Sequence, residues 1–151
     1  TEWVGPWNDE AMKFQEAAKY YYYPGMHEPG SMLACGTNKS WFTSLNKSDQ
    51  LLIEAAAAME NDVMMSEYNA KNGAALARLI NDHGVKLEKF SDKVYDGFAS
   101  AANEVFEETR ASSGLAERVH SSFLKARKDI GSWTNLSDSP YISQRNRALG
   151  M

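Results

Sequence analysis

The chain has 151 residues, of which 43% are hydrophobic and 24% charged, a globular composition that argues against disorder. Sixteen Lys and Arg against twenty Asp and Glu give a net charge of −4 and a pI near 5.4, so nothing electrostatic points to nucleic acid. No apolar run approaches the ~18 residues of a membrane span. The single cysteine, Cys35, excludes an internal disulfide and a thiolate zinc cluster.

The opening, Thr1-Glu2-Trp3-Val4-Gly5-Pro6-Trp7, sets bulky apolar residues where domain termini are ordinarily polar, and is expected to be interior to a longer chain. A short helix is predicted over Asn8 to Ala18, with Asn8 as N-cap and Asp9 and Glu10 in the first turn. Tyr20 to Tyr23 reads as a strand broken by Pro24-Gly25, and Ser31 to Thr37 as a second strand. Composition changes near Leu45, beyond which the pattern is helical. Asn46 or Ser48 caps a helix running to Asp82, about 52 Å long if unbroken, with Gly73 as the expected kink or break. Val85-Lys86-Leu87 alternates as a short strand does. Ser91 or Asp92 opens a helix with Val94, Phe98, Ala101, Ala102 and Val105 on one face. After Ser112-Ser113-Gly114 the spacing resumes at Leu115, Val119, Phe123, Ala126 and Ile130, and is expected to stop at Gly131. A last helix is predicted over Ser139 to Leu149, with Ser139 as N-cap and Pro140 at the first helical position.

Nucleotide and nucleophile motifs are absent: there is no GxGxxG, GxxxxGK[ST] or GxSxG. His27, His83 and His120 lack metal-binding spacing and read as surface or loop residues, and Cys35 as a small buried apolar one. Met59, Met64 and Met65 suit an adaptable groove, but core is the expectation. The charges of Glu104, Glu107, Glu108, Arg110, Lys125, Arg127 and Lys128 are assigned to solvated faces. No acid–base or nucleophile pair emerges, so the chain is read as a non-enzyme. The remaining candidates are Glu2-Trp3 and His27-Glu28, where elements run out into Gly/Pro loops, the edges that ligand sites favour. From the residues alone, a frayed terminal Glu2 and a solvated loop Glu28 are the favoured explanation of the pattern.

The segments Glu2-Trp3-Val4-Gly5-Pro6-Trp7-Asn8-Asp9, Ala18-Lys19-Tyr20-Tyr21-Tyr22-Tyr23-Pro24-Gly25 and His27-Glu28-Pro29-Gly30 resemble the extracytoplasmic solute-binding proteins of TRAP transporters, in the branch that takes 2-oxo acids and small monocarboxylates. The helical remainder fits too, including Ser132-Trp133, Ser137-Asp138, Tyr141 and Arg145. The resemblance implies an α/β fold, mostly helical with a few strands. It would be the C-terminal half of a two-lobed, type II periplasmic-binding-protein-like fold, with residues 1–151 forming the C-terminal lobe portion and long helices. The N-terminal lobe, the signal peptide and the arginine that grips the solute carboxylate belong to the part of the family that this sequence does not match.

The resemblance further implies periplasmic location, transport rather than catalysis, and a metal ion bridging protein and solute. The matching ligands are Glu2, the backbone carbonyl of Trp3, and Glu28. Two carboxylates facing an anionic solute repel it unless a cation intervenes, and oxygen-only donors suit sodium or calcium rather than zinc or copper. The Trp3 indole supplies a flat wall and one N–H donor for the solute. Implied partners are a small carboxylate such as a 2-oxo acid, the membrane permease subunits of a TRAP transporter, and a homodimer through the C-terminal helices. Asp92 to Ile130 and Ser139 to Leu149 carry the apolar stripes that such pairing, or folding back on the same lobe, would cover. The rival reading is a non-catalytic helical dimerisation or interaction domain with an aromatic opening segment as core.

Overall fold

Asn46 accepts a hydrogen bond from the backbone N–H of Asp49 at 2.9 Å and starts helix α4, Lys47–Asn81. In the computed structural model, which describes residues 1–28 and 34–151, α4 runs its 35 residues without interruption. Gly73 therefore does not break it: the ladder of hydrogen bonds outweighs the roughly 1 kcal/mol that one interior glycine costs. The last turns of α4 carry the core, with Ala75 fully buried and Leu79 nearly so, joined by Val85 beyond the turn at Gly84 (φ 68°).

Four short elements gather around that end. Helix α1 (Pro6–Ala11) packs against α4 and is followed by α2 (Phe14–Ala17) and strand β1 (Tyr20–Tyr23). Strand β2 (Lys86–Lys89) follows α4 and pairs with β1 in parallel, Tyr20 opposite Lys86 and Tyr23 opposite Lys89. Parallel strands need a long crossover, which here includes α3 (Lys39–Ser44) and α4. The pairing extends at both ends, with Lys86 N–H donating to the Lys19 carbonyl and Phe90 N–H to that of Tyr23, each at 2.8 Å. Phe90 stacks on Tyr22, centroids 5.0 Å apart.

The chain divides into two units, Thr1–Asp92 and Lys93–Met151, and not at the composition change near Leu45, because α4 itself belongs with the first strands. The second unit consists of α5 (Asp92–Ala111, its first residue apart), α6 (Gly114–Thr134) and α7 (Asp138–Leu149). Ser113 caps α6 by accepting from Ala116 N–H at 3.1 Å. Phe106 meets Phe123 and His120 across the α5–α6 turn, and Arg110 lies between Glu107 and Glu117.

Several boundaries differ from expectation. The predicted helix over Asn8 to Ala18 is two helices, split where Lys13 adopts a left-handed conformation (φ 61°). Its N-cap is Gly5 rather than Asn8, because Pro6 fits the first helical position, where a missing N–H costs nothing. Gly131 does not stop α6, which continues to Thr134. Helix α7 starts at Asp138, its cap at Ser137 rather than Ser139. The predicted strand Ser31 to Thr37 falls partly outside the described residues, and its described remainder is neither helix nor strand. Cys35 is exposed rather than buried, as are Met59 and Met65. The predicted core of methionines fails because the buried residues of α4, Ala75 and Leu79, lie near its C-terminal end, away from the methionines.

Candidate functional site

The candidate residues sit just outside two elements of the first unit. Glu2 and Trp3 lie in the extended segment that leads into α1, and Glu28 in the loop that leaves β1. Because β1 and β2 are parallel, that loop departs from the carboxyl edge of the strands, where ligands of parallel α/β sheets bind. Glu2 and Glu28 are exposed, and Trp3 is 53% exposed. Among the described residues no cluster of three or more His, Cys, Asp or Glu forms. A site built from Glu2 and Glu28 would offer carboxylate oxygens. Such a set is all oxygen, which fits a hard cation and leaves no soft ligand for zinc or copper.

What fixes these segments is the anchoring of α1. Its N-cap is a glycine with no side chain, and the acceptor comes instead from α4: Asn72 Oδ1 accepts the Trp7 N–H at 3.1 Å. The Trp7 ring meets Tyr68 edge-on at 5.3 Å, with the Lys71 ammonium 4.0 Å from its centroid. Further along α4, Arg78 holds both carboxylate oxygens of Glu10, Nε to Oε1 at 2.8 Å and Nη2 to Oε2 at 2.5 Å. The guanidinium holds the Glu10 carboxyl below the usual carboxylate range.

The second anchor links α1 to β1. Tyr21 Oη donates to Asp9 Oδ2 at 2.5 Å, with Asp9 only 6% exposed. Burial raises the Asp9 carboxyl despite the opposing effect of that hydrogen bond, and burial beside Asp9 raises the Tyr21 phenol. Asp9 Oδ1 has no hydrogen-bond partner. A buried carboxylate so thinly satisfied costs stability, and here it joins the element carrying Glu2-Trp3 to the strand preceding Glu28.

Sequence reasoning missed Gly5, Asn72, Asp9, Tyr21, Glu10 and Arg78 as supports. One signal was present: Asn72-Gly73 places two poor helix formers side by side within α4, a local cost that marks a positional demand. Of the aromatic residues in the opening segment, Trp3, Tyr20, Tyr22 and Tyr23 are exposed, whereas Trp7 and Tyr21 are half-buried.

A parallel strand pair joined through a long crossover helix defines an α/β unit. Residues 1–112 match the model for bacterial extracellular solute-binding protein, family 7 (DctP), and the chain belongs to that family. It is 33% identical over 140 residues to a monocarboxylate 2-oxoacid-binding periplasmic protein of Nostoc sp., covering 93% of this chain and 38% of the relative. Solved structures match in fold as well. A TRAP periplasmic solute-binding protein from Colwellia psychrerythraea, with bound calcium and pyruvate, superposes with TM-score 0.88 at 33% identity, covering 95% of this chain and 44% of that one. One from Pseudoalteromonas atlantica, with bound sodium and pyruvate, gives 0.83 at 27% identity over 94% and 43%. A third, from Bordetella bronchiseptica, is a mixed-occupancy dimer with calcium and picolinate in one active site. It gives 0.89 at 26% identity over 99% and 44%.

This chain thus spans about two fifths of the length of these relatives, and its architecture is that of half of a two-lobed solute-binding fold. The family comprises transport proteins rather than enzymes, and its named relatives are periplasmic, which gives this chain its location. The family match favours transport over the rival reading of a non-catalytic helical dimerisation or interaction domain.

Proposed function

We propose that the protein carrying this chain captures a small 2-oxo acid in the periplasm and delivers it to the membrane permease of a TRAP transporter, with a calcium or sodium ion bridging solute and protein. Residues 1–151 contribute a C-terminal lobe portion and long helices to that binding protein. Glu2, the Trp3 carbonyl and Glu28 hold the ion, and the Trp3 indole lines the solute. The observation that carries the reading is the pair of exposed carboxylates at Glu2 and Glu28, next to two elements, α1 and β1, that the Tyr21–Asp9 hydrogen bond ties together. Exposed carboxylates alone would repel a carboxylate solute, and a cation reverses that sign. Relatives with bound calcium or sodium and bound pyruvate supply the chemical class.

Isothermal titration of the complete gene product with pyruvate tests this. Binding is expected with calcium or sodium present, and its disappearance after exhaustive dialysis against chelator in a sodium-free buffer. Glu2→Gln and Glu28→Gln are each expected to weaken it by at least about tenfold, the loss that even outer partners of a metal ligand produce. Unchanged affinity in both variants removes these residues from the site.

A further inference from the structure

We infer that Asn72, in the C-terminal half of α4 and far from Glu2-Trp3 in sequence, is the positioning residue that sets where the Trp3 carbonyl and the Glu2 carboxylate stand; the inference rests on the site proposed above. Three observations converge on it. First, Asn72 Oδ1 accepts the Trp7 N–H at 3.1 Å, taking the role that the side chain of an N-cap residue normally fills and that Gly5 cannot. Second, Gly5 adopts φ 156° and ψ 178°, a conformation essentially confined to glycine. Third, a Cβ at Gly5 would stand only 3.3 Å from Asn72 Oδ1 and 3.5 Å from its Nδ2. The Asn72 amide is therefore packed against the Gly5 backbone while bonding the chain two residues further on.

Glu2 and Trp3 are separated from Gly5 by Val4 alone. Fixing the dihedral angles of Gly5 and the first N–H groups of α1 thereby fixes the direction in which the preceding segment leaves the helix. A backbone carbonyl has no rotamer of its own. Its aim at an ion is set wholly by main-chain geometry, so a ligand of this kind depends on such support more than a carboxylate does. The bond to Trp7 also accounts for the asparagine itself, since an Asn in a helix interior, followed by Gly73, has no local justification.

The test compares wild type with Asn72→Ala and Asn72→Asp in the complete gene product. Asp retains an acceptor at the same reach; Ala does not. Pyruvate affinity is measured by titration in saturating calcium. Exchange of the Trp7 amide is followed by hydrogen–deuterium mass spectrometry in chelator without pyruvate. Asn72→Ala is expected to lose at least about tenfold in affinity, as removal of an outer partner does, and to lose protection at Trp7. Asn72→Asp is expected to keep both within about threefold, a margin of well under 1 kcal/mol. If the Asn72→Ala variant does not fold, Asn72→Ser, whose hydroxyl is too short to reach the Trp7 N–H, takes that place with a smaller packing loss. Unaltered affinity in the variant lacking the acceptor overturns the inference and leaves the proposed function standing. So does a lowered melting temperature with unaltered affinity, the signature of a structural role alone. A wild type that binds no pyruvate with either cation overturns the proposed function, and the inference with it.

Discussion

Asp9 and Glu10 are neighbours in α1 whose environments move them in opposite directions. Burial raises Asp9, so the folded state holds its proton more tightly than the unfolded chain does. Its contribution to stability is greatest below the ordinary value of about 3.9 and declines as pH rises through the folded value. Glu10 is lowered by Arg78, so its contribution is present above its ordinary value, about 4.3, and is lost as pH falls through the folded one. Tyr21→Phe removes the one hydrogen bond given to the Asp9 carboxylate and is expected to cost about 1–3 kcal/mol at neutral pH, with less loss in acid. Urea unfolding at neutral pH and at a pH below about 3.9 measures both. A loss that is the same at both values would mean that Asp9 is not the group responsible. Arg78→Ala is expected to lose its effect on the acid side: its stability curve converges with that of wild type as pH falls and Glu10 protonates. None of these pairings was legible in the sequence, because each joins residues set by tertiary packing, Trp7 to Asn72 and Glu10 to Arg78 across more than sixty positions.

At the scale of elements, local rules located nearly every helix, and misplaced several ends. Asn46 caps α4, Ser113 caps α6, and Tyr20–Tyr23 is a strand, as the side-chain chemistry of each position demands. The errors cluster at glycines. Gly73 and Gly131 read as breaks, yet both lie inside continuous helices and a Cβ at either would meet nothing within 4 Å. Gly73→Ala is therefore expected to stabilise the protein by about 0.5–1 kcal/mol, since alanine fits and restricts the unfolded chain. Chemical denaturation reads this directly, and a destabilised variant would show that the helix needs space at position 73. Asn46→Ala is expected to lose about 1 kcal/mol with its cap, measured in the same way. Gly5 is the contrasting case: there an alanine meets both a disfavoured backbone angle and the Asn72 amide.

The molecule as a whole leaves much apolar surface open. In α6 and the turn after it, Leu115, Val119, Ile130, Trp133 and Leu136 are each more than 60% exposed, and α5, α6 and α7 bury no residue. The apolar stripes were visible as helical periodicity; that they remain uncovered was not. Exposed patches of this extent bind hydrophobic dyes and self-associate. A polypeptide of these 151 residues prepared by itself is expected to enhance the fluorescence of anilinonaphthalene sulfonate and to sediment above its monomer mass of 16.8 kDa. A dye-silent monomer in analytical ultracentrifugation would contradict this.

The sequence by itself determined what depends on neighbours along the chain: helix periodicity, Asn46 as one of two candidate caps, the β-propensity of four tyrosines, and the family to which the motifs around Glu2 and Glu28 belong. Only the tertiary structure decided which of these elements meet. It set β1 beside β2 and chose Asn72 to complete a helix that its own N-cap glycine cannot. It also buried Asp9 against Tyr21 and left Cys35, Met59 and Met65 in solvent. The reason is the range of the forces involved. Caps and periodicity act over three or four residues, whereas burial and long-range hydrogen bonds depend on which distant segment the folded chain brings alongside.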